Sequence, residues 1–130
     1  MSGNQYNILH FSDLYIDYNY QESTSTACGG VVCCQSKYGT TDLPLAKKYG
    51  EKHCDTPEAT LDEIIADVKE KVASPEIILL TGGLVSRDPY LTNSDRVTSF
   101  GNTLSKFRSA FPDALIFVAL GSTDISGTNQ

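Results

Sequence analysis

The sequence predicts an α/β protein: a parallel βαβαβ half-sheet with a cysteine-rich insert after the first strand. Three observations lead there. Short apolar runs at residues 6–11, 76–81 and 115–120 have adjacent rather than alternating hydrophobics, as in strands covered on both faces. Helix-period segments lie before the second run and between the second and third, and helical crossovers make such strands parallel with right-handed connections. Each run ends in small and acidic residues, at the carboxyl edge where α/β sheets hold their ligands. These tips read Phe11-Ser12-Asp13-Leu14-Tyr15, Thr81-Gly82-Gly83-Leu84-Val85-Ser86-Arg87-Asp88 and Leu120-Gly121-Ser122-Thr123-Asp124.

In chain order, Tyr-Asn-Ile-Leu-His-Phe forms the first strand, with adjacent Ile8 and Leu9 placing apolar groups on both faces. His10 within it is expected to be packed. Residues 14 to about 53 are a long connection rich in Tyr, Ser, Thr and Gly, which crosslinks would hold in place of a core. Gly29-Gly30 allows a sharp turn between Cys28 and Cys33. A helix then opens with Thr56 as N-cap, Pro57 in the first turn and Glu58 at the positive end of the dipole. Its apolar face is Leu61, Ile64, Ile65, Val68 and Val72, and Ser74-Pro75 stops it. Glu-Ile-Ile-Leu-Leu-Thr is the second strand. The next helix runs from about Asn93 to Ala110, with Val97, Phe100, Leu104, Phe107 and Phe111 as its buried stripe and Gly101 weakening it slightly. Leu-Ile-Phe-Val-Ala-Leu, residues 115–120, is the third strand and expects burial on both faces.

The 130 residues allow one domain, read as 1–125 with the cysteine-rich insert at 14–55 and a frayed tail at 126–130. The net charge of −6, with no basic stripe, argues against nucleic acid and against anionic membrane surfaces. No apolar run approaches the roughly 20 residues of a transmembrane segment. Cys28, Cys33, Cys34 and Cys54 match no usual zinc spacing, which leaves two disulfides or four free thiols open. Localisation pulls two ways. The cysteines slightly favour a secretory or extracellular setting, whereas Met1 followed by no basic n-region favours the cytoplasm if Met1 is the native start.

Together these residues resemble the calcineurin-like metallophosphoesterases, and among them the acid sphingomyelinase-like phosphodiesterases. That family reads Asp-x-His after strand one, Gly-Asp before a downstream His-Asp after strand two, and Gly-Asn-His-Asp/Glu after strand three. The subgroup adds Cys-x4-Cys-Cys and then Lys-Cys-Asp-x-Pro opening a helix. Here these are Cys28, Cys33-Cys34 and Lys52-His53-Cys54-Asp55-Thr56-Pro57, the last with His53 as an extra residue, expected on a surface loop. The resemblance covers nearly the whole chain. It implies the parallel βαβαβ half of a metallophosphoesterase α/β sandwich, with Cys28 bonded to Cys33 and Cys34 to Cys54.

The family's two metal ions share a bridging Asp and are clamped by His, Asn and Asp, activating water for an in-line displacement. Asp13 matches the first ligand and is the only metal-ligand candidate left. Tyr15 stands for its partner His, Gly83 for the bridging Asp, Arg87 for the His before Asp88, Ser122 for the Asn and Thr123 for the catalytic His, while Asp88 and Asp124 keep their places. Without a carboxylate at Gly83, two dications would repel with nothing between them. Asp13 is instead expected to bond loop amides. The expectation is therefore a catalytically inactive module without cofactor, used for structure, binding or assembly. A further chain or copy would cover the third strand. The alternative is the N-terminal part of a zinc- or other divalent-metal-dependent phosphodiesterase using Asp13, Tyr15, Asp88 and Asp124. A small-anion site on the amides of Gly82-Gly83 and Gly121-Ser122 is a further reading.

Overall fold

The computed structural model describes residues 3–41 and 43–125. A three-stranded parallel sheet forms the centre, ordered β1 (Ile8–Phe11), β4 (Ile77–Thr81), β5 (Leu115–Ala119). Between β1 and β4 come β2 (Ile16–Asp17), a short 3-10 turn at Ser36–Tyr38, β3 (Thr56–Pro57) and helix α1 (Glu58–Lys71). Helix α2 (Asn93–Ala110) joins β4 to β5, and a four-residue helix α3 (Ser122–Ile125) follows. This is the expected parallel βαβαβ arrangement with a stapled insert. The tail 126–130 lies outside the described residues.

The core forms where α1 and α2 lie on the sheet. Leu61 and Ile65 from α1, Phe107 from α2 and Phe111 just after it meet Ile78 and Leu80 of β4, with Leu9, Phe11 and Ile116 packed against them. Ile64 and Val68 are half-buried, as the helical spacing predicts. A reciprocal cap starts α2: the Thr92 hydroxyl accepts from the Asp95 N–H while the Asp95 carboxylate accepts from the Thr92 N–H.

Both disulfides form with the implied pairing, Cys28–Cys33 and Cys34–Cys54. Gly29 takes φ +67°, as the turn between the first pair requires. His53 is exposed, as expected.

Several expectations are corrected. The first strand starts at Ile8, and Ile8 is 54% exposed because β1 is a sheet edge with helices on one side only. His10 is exposed rather than packed, its Nε2 2.7 Å from the Thr81 hydroxyl. Thr56 does not cap α1: it pairs with Ile16 in a second small parallel sheet, its N–H donating to Tyr15 O at 3.0 Å, and Pro57 takes the N-cap position without a side-chain cap. The insert is thus stitched to the scaffold by a short ladder that lacks any sequence period. Val97 is 72% exposed and leaves the α2 stripe; Thr103 and Arg96 are buried instead. The third strand ends at Ala119, and Leu115, Phe117 and Val118 are exposed rather than covered on both faces.

Candidate functional site

The three strand tips converge at the carboxyl edge of the sheet. After β1 the chain runs beside the segment after β4. The N–H of Asp13 donates to Gly82 O at 3.0 Å, that of Tyr15 to Gly83 O at 2.7 Å, and that of Ile16 to Leu84 O at 2.9 Å. The N–H of Ser86 returns to Ile16 O at 3.1 Å. The tight approach sets unusual backbone angles: φ is +54° at Asp13, +46° at Tyr15, +94° at Gly82 and +68° at Gly83. Gly121 of the third tip sits so close that a Cβ on it would lie 2.8 Å from the Gly83 nitrogen.

Asp124 holds these tips together. Its buried carboxylate accepts four backbone N–H groups: Gly83 at 3.0 Å, Leu84 at 2.8 Å, Val85 at 2.9 Å and Gly121 at 2.8 Å. The anion held by the Gly83 and Gly121 amides is therefore the protein's own carboxylate. That corrects the small-anion reading at those two groups. From the sequence Asp124 is only a family position; its keystone role needs the fold.

Asp13 is exposed and bonded to hydroxyls, not to loop amides as expected. Its carboxylate accepts from Ser12 Oγ at 2.7 Å and Tyr15 Oη at 2.9 Å. Those bonds hold its pKa below the ordinary value, the Ser12 bond most. The same bond to Asp13 is the main cause raising the Tyr15 phenol, which favours its neutral, donating form. The Arg87 guanidinium lies 5.1 Å from the Tyr15 ring centroid and ion-pairs with Asp55. The buried Asp55 also accepts from the Arg87 N–H at 2.7 Å and the Ser86 hydroxyl at 2.8 Å, tying the Cys54 crosslink to the loop after β4.

Asp88 is committed to the insert. It accepts from Gln35 Nε2 at 3.1 Å, Lys37 Nζ at 3.2 Å and the Tyr90 N–H at 3.0 Å, while Gln35 also donates to Asp17 at 2.8 Å. Burial pushes the Asp17 carboxyl up, and the charges of Asp55 and Asp88 add to it against the Gln35 and Asn19 bonds. Ser122 is exposed at the start of α3, and the Thr123 hydroxyl is buried without a partner. Arg96, buried on α2, donates to the carbonyls of Thr123 at 2.7 Å and Asp88 at 2.9 Å, clamping the second and third tips.

The structure thus brings Asp13, Tyr15, Gly83 and Arg87 together, with Asp124 beneath the backbone, and turns Asp88 away towards the insert. Asp17, Gln35 and Arg96 were not singled out by sequence reasoning, and Asp55 only as part of the Lys-Cys-Asp-x-Pro segment, because nothing in their spacing marks a contact made across the fold.

A metal pair can be tested against this geometry. A side chain at 83 would point at Asp13, where the bridging carboxylate of the family is expected. Its Cβ would stand 2.9 Å from Asp13 Cα, 3.0 Å from Asp13 Oδ1 and 3.2 Å from Tyr15 Cε1. The space for that carboxylate is filled by Asp13 and Tyr15 themselves. Among the described residues no group of three or more His, Cys, Asp or Glu side chains could hold a metal ion. The residues present do not fit a two-metal centre.

No protein-family model matches the chain. Curated proteins do. Human acid sphingomyelinase-like phosphodiesterase 3b is 31% identical over 123 residues, which is 93% of this chain and 26% of that protein. Its mouse counterpart is 29% identical over 126 residues, again 26% of its length. Human sphingomyelin phosphodiesterase is 25% identical over 128 residues, 95% of this chain and 20% of the relative. The chain spans about a quarter or less of these relatives. With the fold and both disulfides, the chain is similar over most of its length to acid sphingomyelinase-like phosphodiesterases, across a segment that is a minor part of theirs.

Proposed function

We propose that the chain is a catalytically silent phosphodiesterase-related module, retained as a structural or binding unit. The observation that carries this reading is at Gly83. The one position from which a carboxylate could bridge two dications has no side chain, a left-handed backbone and no room for a Cβ. Asp88 and Asp124, which an altered ligand set would need, are occupied with Gln35, Lys37 and backbone amides. Asp13 alone gives a dication one carboxylate, already holding two hydroxyl donors. Electrostatic stabilisation of the transition state of a phosphoryl displacement needs more than that.

The test is turnover of a generic phosphodiester, bis(p-nitrophenyl) phosphate, with excess zinc or manganese, together with calorimetric titration of each metal. No turnover above free metal and no saturable binding are the expected results. Stoichiometric binding of two metal ions with turnover abolished by Asp13→Asn would overturn the reading.

A further inference from the structure

The two disulfides close loops of different length. Cys28–Cys33 spans five positions across Gly29-Gly30, and Cys34–Cys54 spans twenty. Their sulfurs also sit in opposite surroundings. The Cys33 sulfur accepts the Cys28 N–H at 3.1 Å, and the Cys28 sulfur accepts the Gly30 N–H at 3.4 Å. Donors placed in this way favour a thiolate over a thiol. At the other crosslink the Lys52 carbonyl oxygen lies 3.6 Å from the Cys54 sulfur, and Cys34 is fully buried. An oxygen lone pair facing one sulfur and the loss of water around the other both disfavour a thiolate. The Lys52 and His53 side chains flank Cys54, but both residues are exposed, where water and salt screen their charge.

We propose that Cys28–Cys33 is an exchangeable disulfide, a modification site for small thiols of the glutathione class, and that Cys34–Cys54 is the structural one. Cys28 is half-buried beside the exposed Gly29 and Gly30, whereas Cys33 is 2% exposed, so Cys28 is the sulfur an incoming thiolate reaches. The thiolate attacks the Cys28 sulfur and forms a new S–S bond there. The Cys28–Cys33 bond breaks, and its electron pair leaves on Cys33 as a thiolate. The Cys28 N–H is placed to hold that charge. One disulfide and one thiolate become another disulfide and another thiolate, with no net oxidation. Return attack by Cys33 on the Cys28 sulfur expels the small thiol and restores the bond. Attack by a second small thiolate on the sulfur of the first instead forms their disulfide and releases Cys28, so the protein pair is reduced and two small thiols are oxidised.

The fold keeps its shape through this exchange. Val32 is 1% exposed, and the Cys33 N–H donates to His53 O at 3.0 Å, so the segment stays seated with the crosslink open. Cys34–Cys54 still carries Asp55, which holds Ser86 and Arg87. The shorter loop is also the smaller constraint on the unfolded chain, so opening it costs less stability than opening the longer one. The contacts that distinguish the two sulfur pairs are all made within residues 28–54 and belong to the insert itself.

The test is incubation of the native, disulfide-intact chain with reduced glutathione, quenched at intervals with iodoacetamide and read by intact mass and peptide mapping. Cys28–Cys33 is expected to open at least about ten-fold faster than Cys34–Cys54, the effect of one hydrogen bond to a leaving thiolate. Mixed disulfide caught in that phase is expected on Cys28, and the near-ultraviolet spectrum is expected to be unchanged when the phase ends. The double variant Cys28→Ser with Cys33→Ser should lose the fast phase and keep the slow one. Should that variant not fold, the wild-type rates decide alone, because mapping assigns each phase to its bond. Equal rates, first opening at Cys34–Cys54, glutathione on Cys33, or loss of the tertiary spectrum together with the fast phase would each overturn the proposal. Phosphodiester turnover is read separately and bears only on the silent-module reading.

Discussion

At position 83, backbone conformation and available space act together. A φ of +68° disfavours any L side chain by about 1–2 kcal/mol, and contacts of 2.9 and 3.0 Å with Asp13 add about 1–3 kcal/mol of overpacking. Gly83→Asp is therefore expected to lower stability by about 2–5 kcal/mol in urea unfolding without creating metal affinity in calorimetry. Restored binding of two dications by this single change would contradict the geometry. Asp124 presents the opposite case, a side chain whose charge the fold uses fully. Asn in its place keeps one oxygen but turns an NH₂ towards backbone N–H donors, leaving buried groups unpaired. Asp124→Asn is expected to cost on the order of 3 kcal/mol, and exchange of the Gly83, Leu84 and Val85 amides should accelerate together.

At the scale of elements, the insert is held by two kinds of latch. The Cys34–Cys54 bond closes a 20-residue separation, a constraint of about 3 kcal/mol on the unfolded chain. Asp17, Gln35, Asp88 and Lys37 form the other latch, and Asp17 gives it a pH dependence. Its folded pKa is raised above the ordinary 3.8 mainly by burial, so the folded state binds its proton more tightly than the unfolded chain does. Stability from this group is gained as pH falls through its folded value and is complete below 3.8. Asp13, Asp95 and Glu51 are shifted down and act oppositely, their contribution being lost only as pH falls through their depressed values. Melting temperature should therefore rise from neutral to mildly acidic pH, and Asp17→Asn should flatten that rise. A wild-type curve falling over the same range would contradict the assignment.

The limits of the sequence are visible in these same elements. The helix-period stripes of Leu61 and Ile65 and of Phe107 and Phe111 were legible because one face of each helix meets one apolar layer. Thr56–Pro57 was misread because a two-residue ladder has no period and its partner Ile16 lies forty residues earlier. Adjacent apolar residues in β1 and β5 state that both faces are hydrophobic, not that both are covered. At the site, family spacing located Asp13, Gly83 and Asp124. It marked Asp55 only as a motif position and was silent on Gln35 and Arg96; the partners of all three are fixed only by the closed fold.

For the whole molecule, the open question is what maintains the three tips where the family is expected to use metal. Here backbone pairing between residues 13–16 and 82–86, the Asp124 carboxylate and the Arg96 clamp do so. Each is a contact within the chain, so chelation removes none of them. The Asp55 contacts with Ser86 and Arg87 lie beside the Cys54 crosslink, so reduction acts on the same region from the insert side. EDTA at large excess should accordingly leave the melting temperature and the near-ultraviolet spectrum unchanged. A reductant, which opens both disulfides, should lower stability by at least about 3 kcal/mol and increase exchange first in residues of the insert and the 82–88 loop. The comparison is decisive because the two reagents separate a fold held by metal from one held by covalent and hydrogen-bonded closure. A cooperative loss of structure in EDTA, reversed by zinc, would mean that dications occupy the tips despite the side chain missing at Gly83.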